Sequence, residues 1–329
     1  MIKFNNRMIR FGNSFVAKQK ELIAFTTVWD TRNLNGTGSS PTNTVLELPI
    51  YDEGGWSYGG QRYDFTVYWG DGTSSNITSH DDPNRIHTYS TPGIKELKIT
   101  GKFGGFFFHE HYDKSRMLLE IKKWNSVELD SIGYMFVDCI NLEITATDAP
   151  LLLNWLPGHG NTAYNMFGNN HNIKNSNFIG WDIRPLMTQG WGMAGMFDNT
   201  TLESPNFTGW NINEDYSNVQ NSNEGFNYIF DYMGANFDPI GLDTWVIPAS
   251  ASGTVAFQYF FGSNFSNTQI PSSTYDIILN AWSQNAVDNN GPYNISISFA
   301  KSKYTSAASA ARQTLTNTYG WSISDDGQV

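Results

Sequence analysis

The stretch AGMFDNTTL, residues 194–202, decides the fold because it is one of five related segments in the second half of the chain. Each segment has an aromatic anchor at the same place, and successive anchors are 31, 30, 33 and 31 residues apart. The anchors are Phe136, Phe167, Phe197, Phe230 and Phe261. A period of this length is typical of arrays in which each repeat buries its apolar face against the next one. The sequence therefore predicts a stack of repeats.

A second signature falls between these anchors. It reads NFIGWDI at 177–183, NFTGWNI at 206–212 and DTWVI at 243–247. Its tryptophans, Trp181, Trp210 and Trp245, follow the preceding anchor by 13 to 15 residues. Residues that recur with the period of a repeat are the ones that its interior requires. We therefore expect the three tryptophans to be buried in register, in preference to forming a sugar-stacking platform.

The two signatures together resemble the Met-Phe-anchored repeats of the BspA-like branch of the leucine-rich-repeat superfamily. That branch occurs in surface proteins of bacteria and mycoplasmas. The resemblance covers residues 118–270 and implies a leucine-rich-repeat-type solenoid with an adhesin-like role. It does not assign binding residues.

The first part of the chain has the pattern of β-strands. In YDFTVYWGDG, residues 63–72, Tyr63, Phe65, Val67 and Trp69 alternate with polar or exposed positions, as expected for a half-buried strand. The Asp-Gly pair that follows predicts a turn. Further strand patterns lie at 24–30, 45–50 and 94–101.

Two motifs in this part, WGDG at 69–72 and HTYSTPG at 87–93, resemble those of polycystic-kidney-disease (PKD) domains. The resemblance implies an immunoglobulin-like β-sandwich that acts as a spacer or interaction module and has no catalytic residues. We assign this domain to residues 25–117.

Residues 271–329 are expected to form a small α/β cap that covers the end of the array. In IPSSTYDIILNAWSQ, Ser273 precedes Asp276 by three residues, which is typical of a helix capping box. A second helix is predicted to end at Gly320, followed by a strand in WSIS. The expected fold class is thus mainly β, with a sandwich, a solenoid and this cap.

Composition narrows the functional classes. Charged residues make up only 16% of the chain, against about 25% in an average domain. The formal net charge of −11 repels phosphate backbones and argues against a nucleic-acid partner. The single cysteine, Cys139, excludes an internal disulfide framework and is predicted to be a buried structural thiol. No run of about 18 apolar residues predicts insertion into a membrane.

Two sets of residues have the chemistry of metal ligands. On a strand, His109, His111 and Asp113 of HEHYD would share one face and form a three-ligand zinc set. Exposed polar residues at the end of a strand explain them better. Asp71, Asp81 and Asp82 suggest a calcium loop, but their spacing is irregular, so a turn role is preferred. We expect no metal and no cofactor.

The N-terminal segment, residues 1–24, is predicted to be a docking arm. It lacks the apolar stretch of a secretory signal, and its apolar residues alternate around Asn5-Asn6 with positive charge beside them. Such an arm needs the surface of a partner to bury its apolar side. The irregular first strand of the sandwich is the alternative. The docking residues are Ile2, Phe4, Arg7, Ile9, Arg10 and Phe11.

Four aromatic residues outside the repeat period are candidates for surface contacts: Tyr58, Trp191, Tyr216 and Tyr232. They are the positions at which a host-surface glycan or protein would be contacted.

An N-terminal arm, a PKD-like spacer and adhesin-like repeats resemble the module order of accessory proteins of tailed-phage virions. The sequence thus favours a non-enzymatic virion protein, attached to capsid or tail in several copies through its arm and binding the host surface. The first alternative is a bacterial cell-surface BspA-like adhesin. The second is a glycan-degrading enzyme, which would need a pair of suitably spaced carboxylates.

Overall fold

The computed structural model is mainly β, with few helices. The residues it describes are 23–32, 43–50, 63–109, 111–125, 127–129, 133–152, 163–174, 176–187, 192–210, 212, 225–253, 256–263 and 265–329. The strands within these ranges are β1 (Phe25–Asp30), β2 (Val45–Glu47), β3 (Asp64–Tyr68), β4 (Ser74–Ile77), β5 (Ile86–Thr88), β6 (Ile94–Lys102), β7 (Leu118–Lys123), β8 (Glu128–Leu129), β9 (Glu143–Ile144), β10 (Leu151–Leu152), β11 (Ser296–Ser298) and β12 (Ser322–Ser324). The helices are α1 (Tyr112–Ser115), α2 (Arg184–Met187), α3 (Ser272–Asn289) and α4 (Ser309–Gln313).

The largest sheet has six strands in the order β4-β3-β6-β1-β7-β9. Strand β1 lies between β6 and β7 and pairs antiparallel with both. Strand β7 then pairs in parallel with the short β9, through Glu120 with Glu143 and Ile121 with Ile144. One sheet therefore runs from β1 into the first of the repeat segments.

Strand β3 shows why the sequence forms this sheet. Phe65 and Val67 are buried, whereas Asp64 and Tyr68 on the other face are exposed. This is the period of two that the sequence predicts, and the strand is confirmed. Strands β2 and β5 form a separate antiparallel pair, and Leu46 of β2 joins the same core.

The run FGGFFF, residues 103–108, forms no long strand but fills the core with rings. Phe103, Phe106 and Phe108 are each 0% exposed. Phe106 meets Trp29 of β1 edge-on, with ring centroids 5.4 Å apart, and approaches the anchor Phe136 at 6.3 Å. Because Phe106 contacts both a residue of β1 and the anchor of the first repeat, the core is continuous from the six-stranded sheet into the repeats.

The repeat segments lie side by side and are joined by backbone hydrogen bonds. The N–H groups of Phe136, Phe167, Phe197 and Phe230 donate to carbonyls of the following segment, at 2.8 to 3.2 Å. The anchor rings stack in a column, with centroids 5.4 to 5.9 Å apart along these neighbours. Phe299 continues the column at 5.2 Å from Phe261. The repeat segments therefore lie next to one another in the order of the sequence, with their anchor rings in contact.

The tryptophans of the second signature are buried as predicted. Trp181, Trp210 and Trp245 are 1%, 3% and 0% exposed. Trp210 and Trp245 stack with centroids 5.7 Å apart and planes 8° from parallel. Trp210 also donates its Nε1–H to the carbonyl of Phe178 in the preceding repeat, at 2.7 Å. Trp210 therefore contacts the repeats on both sides of its own.

The C-terminal part contains the predicted helix, but its start differs. Helix α3 begins at Ser272 after Pro271, and no side chain caps its N-terminus. The capping box predicted for Ser273 and Asp276 is therefore wrong. Asp276 instead accepts hydrogen bonds from Thr305 N–H, at 2.8 Å, and from its hydroxyl. Gly320 has the left-handed φ of +69° expected of a terminating glycine, and β12 follows it.

Across the described parts of the chain, none of the helices combines the length and the apolar character needed to cross a membrane.

Candidate binding surface

The turns that carry the anchors place specific residues in the left-handed backbone region. In successive repeats, the position two residues after the anchor is Asp138, Asn169, Asn199 and Tyr232, with φ between +49° and +60°. Asn and Asp tolerate this conformation, but a bulky aromatic residue there is an outlier. The tyrosine of the fourth repeat is therefore held in a conformation that its own side chain disfavours.

The position two residues before the anchor behaves in the same way. It is occupied by Tyr134, Asn165, Gly195 and Tyr228, each with a positive φ. Gly and Asn are the residues that adopt this region most readily. The fourth repeat thus carries tyrosine at both left-handed positions, Tyr228 and Tyr232, whereas the second and third repeats carry only Asn or Gly.

These tyrosines form part of a surface that we call the aromatic patch, made of Tyr228, Tyr232, Tyr259 and Phe265. Tyr228 and Tyr259 stack with centroids 4.9 Å apart and planes 16° from parallel. Tyr228 is 38% exposed, Tyr232 49% and Phe265 85%. Contiguous exposed apolar surface is a common feature of binding sites, which makes this group of rings a candidate.

Hydrogen bonds hold the patch in place. The N–H of Tyr232 donates to Asp231 Oδ1 at 2.9 Å and to Ser266 Oγ at 3.3 Å, and Ser266 follows Phe265 in the chain. The N–H of Tyr259 donates to the side-chain oxygen of Asn227 at 3.2 Å. The backbone at Tyr232 and at Tyr259 is therefore fixed by hydrogen bonds to side chains of neighbouring residues and repeats.

Two acidic side chains interact with each other near Tyr232: Asp231 precedes it in the chain, and the charge of Asp231 acts on Asp198. Burial, together with the charge of Asp231, raises the pKa of Asp198 to about 7. Burial also raises the pKa of Asp231, against hydrogen bonds from Ser266 and Tyr232. Asp198 Oδ1 is buried and accepts no hydrogen bond from the described residues. Both carboxyl groups therefore hold a proton more readily than an exposed aspartate does.

Polar cavities lie elsewhere between the repeats. One, of about 370 Å³, is lined by residues 143–147, 172–174 and 176–177. Another, of about 520 Å³, is lined by residues 203–204, 235–238 and 269–271. Both offer hydrogen-bonding groups, but the one aromatic ring that lines them, Phe237, is 1% exposed. The aromatic patch is the stronger candidate for binding.

The two PKD-like motifs contact each other through a hydrogen bond and stacked rings. Trp69 accepts a hydrogen bond from Tyr89 through its carbonyl at 2.9 Å, and its ring stacks on His87. Asp71 Oδ1 accepts from the N–H of Thr73 at 2.9 Å and from its hydroxyl, which confirms the turn role. Burial opposes ionisation of Asp71, but hydrogen bonds from Thr73 and His87 outweigh it and lower the pKa to about 2.

Asp81 and Asp82, which with Asp71 suggested a calcium loop, stabilise local turns. Asp81 accepts from Ser79 Oγ at 2.6 Å. Asp82 precedes a 3-10 helix at Pro83–Arg85 and accepts from the N–H of Asn84 at 3.0 Å. Their oxygens are thus engaged within the chain.

The placement of HEHYD on a strand is wrong. His109 lies in a turn with its ring 4.5 Å from that of Tyr134. His111 precedes helix α1, where burial lowers its pKa, and Asp113 is exposed within α1. A helix turn replaces the alternating geometry that would have put the three on one face. Among the described residues, no three His, Cys, Asp or Glu side chains are grouped so as to hold a metal ion.

Cys139 is buried as predicted, and burial raises the pKa of its thiol well above the usual value. Of the four predicted surface aromatics, Tyr232 lies in the aromatic patch. Tyr58, Trp191 and Tyr216 lie outside the described residues, as do the docking residues Ile2, Phe4, Arg7, Ile9, Arg10 and Phe11.

Three members of the patch were missed from the sequence. Tyr228, Tyr259 and Phe265 fall inside the repeat segments, so the period suggested interior positions for them. The sequence carried only a partial signal at Tyr228: the same position is Asn165 and Gly195 in two of the other repeats, which indicates a turn, but Tyr134 and Tyr259 in the remaining two.

No known family model, curated protein or solved structure matches this chain. The geometry of its own residues is therefore the basis for a functional proposal.

Proposed function

We propose that the chain is a non-enzymatic structural or accessory protein of a tailed-phage virion. In this proposal it attaches to capsid or tail through its N-terminal arm, in several copies, and its repeats bind the host surface. The architecture proposed with it is an immunoglobulin-like β-sandwich at residues 25–117, a leucine-rich-repeat-type solenoid at 118–270 and a cap at 271–329.

The observation that carries the binding role is the aromatic patch. The backbone of neighbouring repeats is hydrogen-bonded in register, so rings on adjacent turns have a fixed spacing. Tyr228 and Tyr259 use that spacing to form an exposed stack. Rigid, exposed tyrosines are common in binding surfaces because they provide contact area with little loss of side-chain entropy.

The packing around the PKD-like motifs supports a spacer role for the first part. His87, Trp69, Asp71 and Tyr89 satisfy one another by stacking and hydrogen bonds. The six-stranded sheet continues through β7 and β9 into the repeats. A rigid connection of this kind suits a protein that holds a binding surface away from its attachment point.

Attachment is tested with the particle itself. Mass spectrometry of purified particles from a phage or prophage that carries the gene should find the chain in several copies. Deleting residues 1–20 should leave a folded protein that is lost from the particles. Recovery of the full chain in the cell-envelope fraction, with none in particles, would instead favour the bacterial adhesin.

Two further variants distinguish apolar burial from charge attraction as the interaction that anchors the arm. Replacing Ile2, Phe4, Ile9 and Phe11 by Ser should abolish incorporation if apolar burial anchors the arm. Replacing Arg7 and Arg10 by Gln should weaken incorporation and make it less sensitive to the salt concentration. Incorporation of the deletion variant at wild-type copy number would overturn the arm as the anchor.

A further inference from the structure

A crevice opens between the first two repeats, formed by residues that follow the anchors Phe136 and Phe167 in the chain. It has a volume of about 370 Å³ and is lined by residues 143–147, 172–174 and 176–177. Sites for small ligands usually have volumes of about 300 to 1,000 Å³. The crevice is therefore large enough to hold a small molecule or one end of a longer one.

One wall of the crevice is the open edge of the six-stranded sheet, at Ile144 of β9. Ile144 lies opposite Ile121 of β7, and the N–H of Thr145 donates to the carbonyl of Ile121 at 3.0 Å. Successive residues of a strand direct their backbone polar groups to opposite sides, so the N–H and C=O of Ile144 point away from β7. Ile144 is buried, and neither group has a hydrogen-bond partner among the described residues. This wall thus presents an unpaired backbone donor and acceptor.

The opposite wall, in the second repeat, has the same feature at Asn177. Asn177 lies opposite Asn206 of the third repeat in a parallel bridge, and the N–H of Phe178 donates to the carbonyl of Asn206 at 3.1 Å. The N–H and C=O of Asn177 therefore point away from the third repeat, and they too lack a partner within the described parts of the chain. Both walls thus carry backbone groups that can still bind a ligand.

A buried hydroxyl group adds to these backbone groups. Ser176, which lines the crevice, is 3% exposed, and its Oγ is buried without a hydrogen-bond partner among the described residues. Buried polar side chains nearly always have a partner, which is water or a ligand where the protein supplies none. The Ser176 hydroxyl therefore indicates that a polar molecule occupies this space.

The larger polar cavity between later repeats lacks this combination. It is lined by residues 203–204, 235–238 and 269–271, and none of these has a buried side-chain polar atom without a partner. The backbone there is also hydrogen-bonded in register: Glu203 N–H donates to the carbonyl of Lys174 at 2.8 Å, and Asp238 N–H to that of Glu203 at 2.6 Å. The crevice between the first two repeats is therefore the better candidate for a polar ligand.

A side-chain bridge closes the crevice at one end. The carboxamide of Asn172 in the second repeat donates to the carbonyl of Asn141 in the first, at 3.2 Å. The same carboxamide lies 3.5 Å from Glu143 Oε1. A crevice that is closed at one end suits the terminal group of a ligand better than the middle of an extended chain.

We propose that this crevice binds the terminal sugar residue of an uncharged glycan. Its lining includes Glu143, whose carboxylate accepts hydrogen bonds, and Lys174, whose ammonium donates them, besides backbone groups of both kinds. Each hydroxyl group of a sugar is both a donor and an acceptor, so one ring can pair with groups of both kinds. This inference rests on the proposed function, because it names a ligand class for the host-binding role at a site other than the aromatic patch.

Charge favours a neutral sugar over an acidic one. Glu143 is exposed and has no cationic partner within the described residues, whereas the Lys174 ammonium lies 3.8 Å from Glu203 and is paired with it. The formal net charge of the chain is −11. An acidic sugar in the crevice would therefore be repelled by the Glu143 carboxylate.

Ser176→Ala in the full-length protein tests the hydroxyl group. Because this change removes a buried polar group that has no partner among the described residues, the melting temperature should be unchanged or raised. Binding of neutral hexasaccharides of glucose, galactose, mannose and N-acetylglucosamine is measured by titration calorimetry. The hexasaccharide that the wild type binds should bind to Ser176→Ala about threefold to tenfold more weakly, because one hydrogen bond is lost. A purely structural role of Ser176 would lower the melting temperature and leave binding unchanged.

Variants of Glu143 test the carboxylate. Glu143→Ala should bind the same hexasaccharide about tenfold more weakly, because hydrogen bonds to a charged group are the stronger ones. Sialylated hexasaccharides should bind to the wild type more weakly than neutral ones, and Glu143→Gln should reduce this difference. Ser204→Ala is the matched control for Ser176→Ala, because Ser204 lines the larger cavity. It should bind like the wild type.

The inference is overturned if the wild type binds none of the neutral hexasaccharides, if it prefers the sialylated ones, or if either Ser176→Ala or Glu143→Ala binds normally. Adhesion to intact host cells is measured alongside. Adhesion that survives in both variants would overturn this site as the host contact and leave the proposed function standing. Absence of adhesion by the wild type would remove the proposed host-binding role itself.

Discussion

The imidazole of His87 lies flat on the indole of Trp69, with centroids 4.7 Å apart and planes 8° from parallel. The same imidazole places Nε2 2.8 Å from Asp71 Oδ2, two residues beyond Trp69. One histidine of the second PKD-like motif therefore joins a buried ring and a turn carboxylate of the first. The two motifs act as one packing unit.

Asp71→Ala should lower the free energy of unfolding by about 1 kcal/mol, because it removes the acceptor for Thr73 and His87. The pKa of Asp71 is lowered in the folded state, so its contribution is present above pH 4 and is lost as the pH falls from 3.8 through about 2. Urea unfolding at pH 2 and pH 6 measures this difference. Asp64→Ala, at an exposed position of β3, should change little.

The two possible roles of Asp71, in a turn or as a calcium ligand, predict different responses to calcium. We expect the melting temperature to be the same with calcium and with a chelator, in the wild type and in Asp71→Ala alike. A calcium-dependent rise that disappears in Asp71→Ala would show a metal site in place of a turn.

Trp210→Ala should lower the free energy of unfolding by about 3 to 5 kcal/mol, because it leaves a large cavity between neighbouring repeats. It also removes the donor to Phe178. Trp210→Phe keeps most of the ring contacts with Trp245 and should cost less. Chemical denaturation of both variants gives the comparison, and wild-type stability of Trp210→Ala would contradict a role for the tryptophans in joining repeats.

Gly262→Ala and Gly72→Ala form a matched pair, because their φ values are +95° and +92°. A Cβ at Gly72 meets nothing within 4 Å, so Gly72→Ala should cost about 1 kcal/mol from the backbone alone. A Cβ at Gly262 would lie 2.0 Å from Asp231 Oδ1 and 2.6 Å from its Cγ. Gly262→Ala should therefore be clearly less stable than Gly72→Ala. Equal melting temperatures would show that the Asp231 carboxyl does not occupy that space.

Asp198 should make stability fall as the pH rises. Its pKa is raised from 3.8 to about 7, so the folded state binds the proton more tightly than the unfolded state does. The stabilisation of the folded state that comes from this tighter proton binding is complete below pH 4 and is lost progressively up to about pH 7. Asp198→Asn should therefore gain stability over the wild type at pH 8 and gain less at pH 5, as measured by urea unfolding.

The control for this pH effect is Asp182→Asn. Hydrogen bonding by Arg184 lowers the pKa of Asp182, so its contribution does not change between pH 5 and pH 8. A difference between the two pH values that is the same in Asp198→Asn as in the wild type would contradict the raised pKa.

The sequence predicted the parts of the fold that depend on a regular apolar period. Phe136, Phe197 and Trp210 were found because the interior of each repeat demands a large apolar residue at the same place. The strand β3 was found because one face is buried and the other is not. In both cases the burial requirement is local enough to be visible in the order of residues.

Other features depend on partners distant in the chain. Strand β7 adds to β1, about ninety residues earlier, and no local pattern specifies that pairing. Asp276 was assigned to a helix cap but accepts from Thr305, which only the folded cap brings near. The aromatic patch was recognised only at Tyr232, because the sign of φ at Tyr228 cannot be deduced from a tyrosine alone.

The array is closed at its two ends by different structures. Strands β7 and β9 join it to the large sheet, and beyond Phe261 the ladder continues into β11, beside α3. A duplication of an internal repeat would leave both closures intact and lengthen the array by about 4.8 Å, the spacing of neighbouring strands. In the proposed host-binding role, the number of internal repeats would set the reach of the protein and a few turn residues the surface that it presents, so the two could change independently.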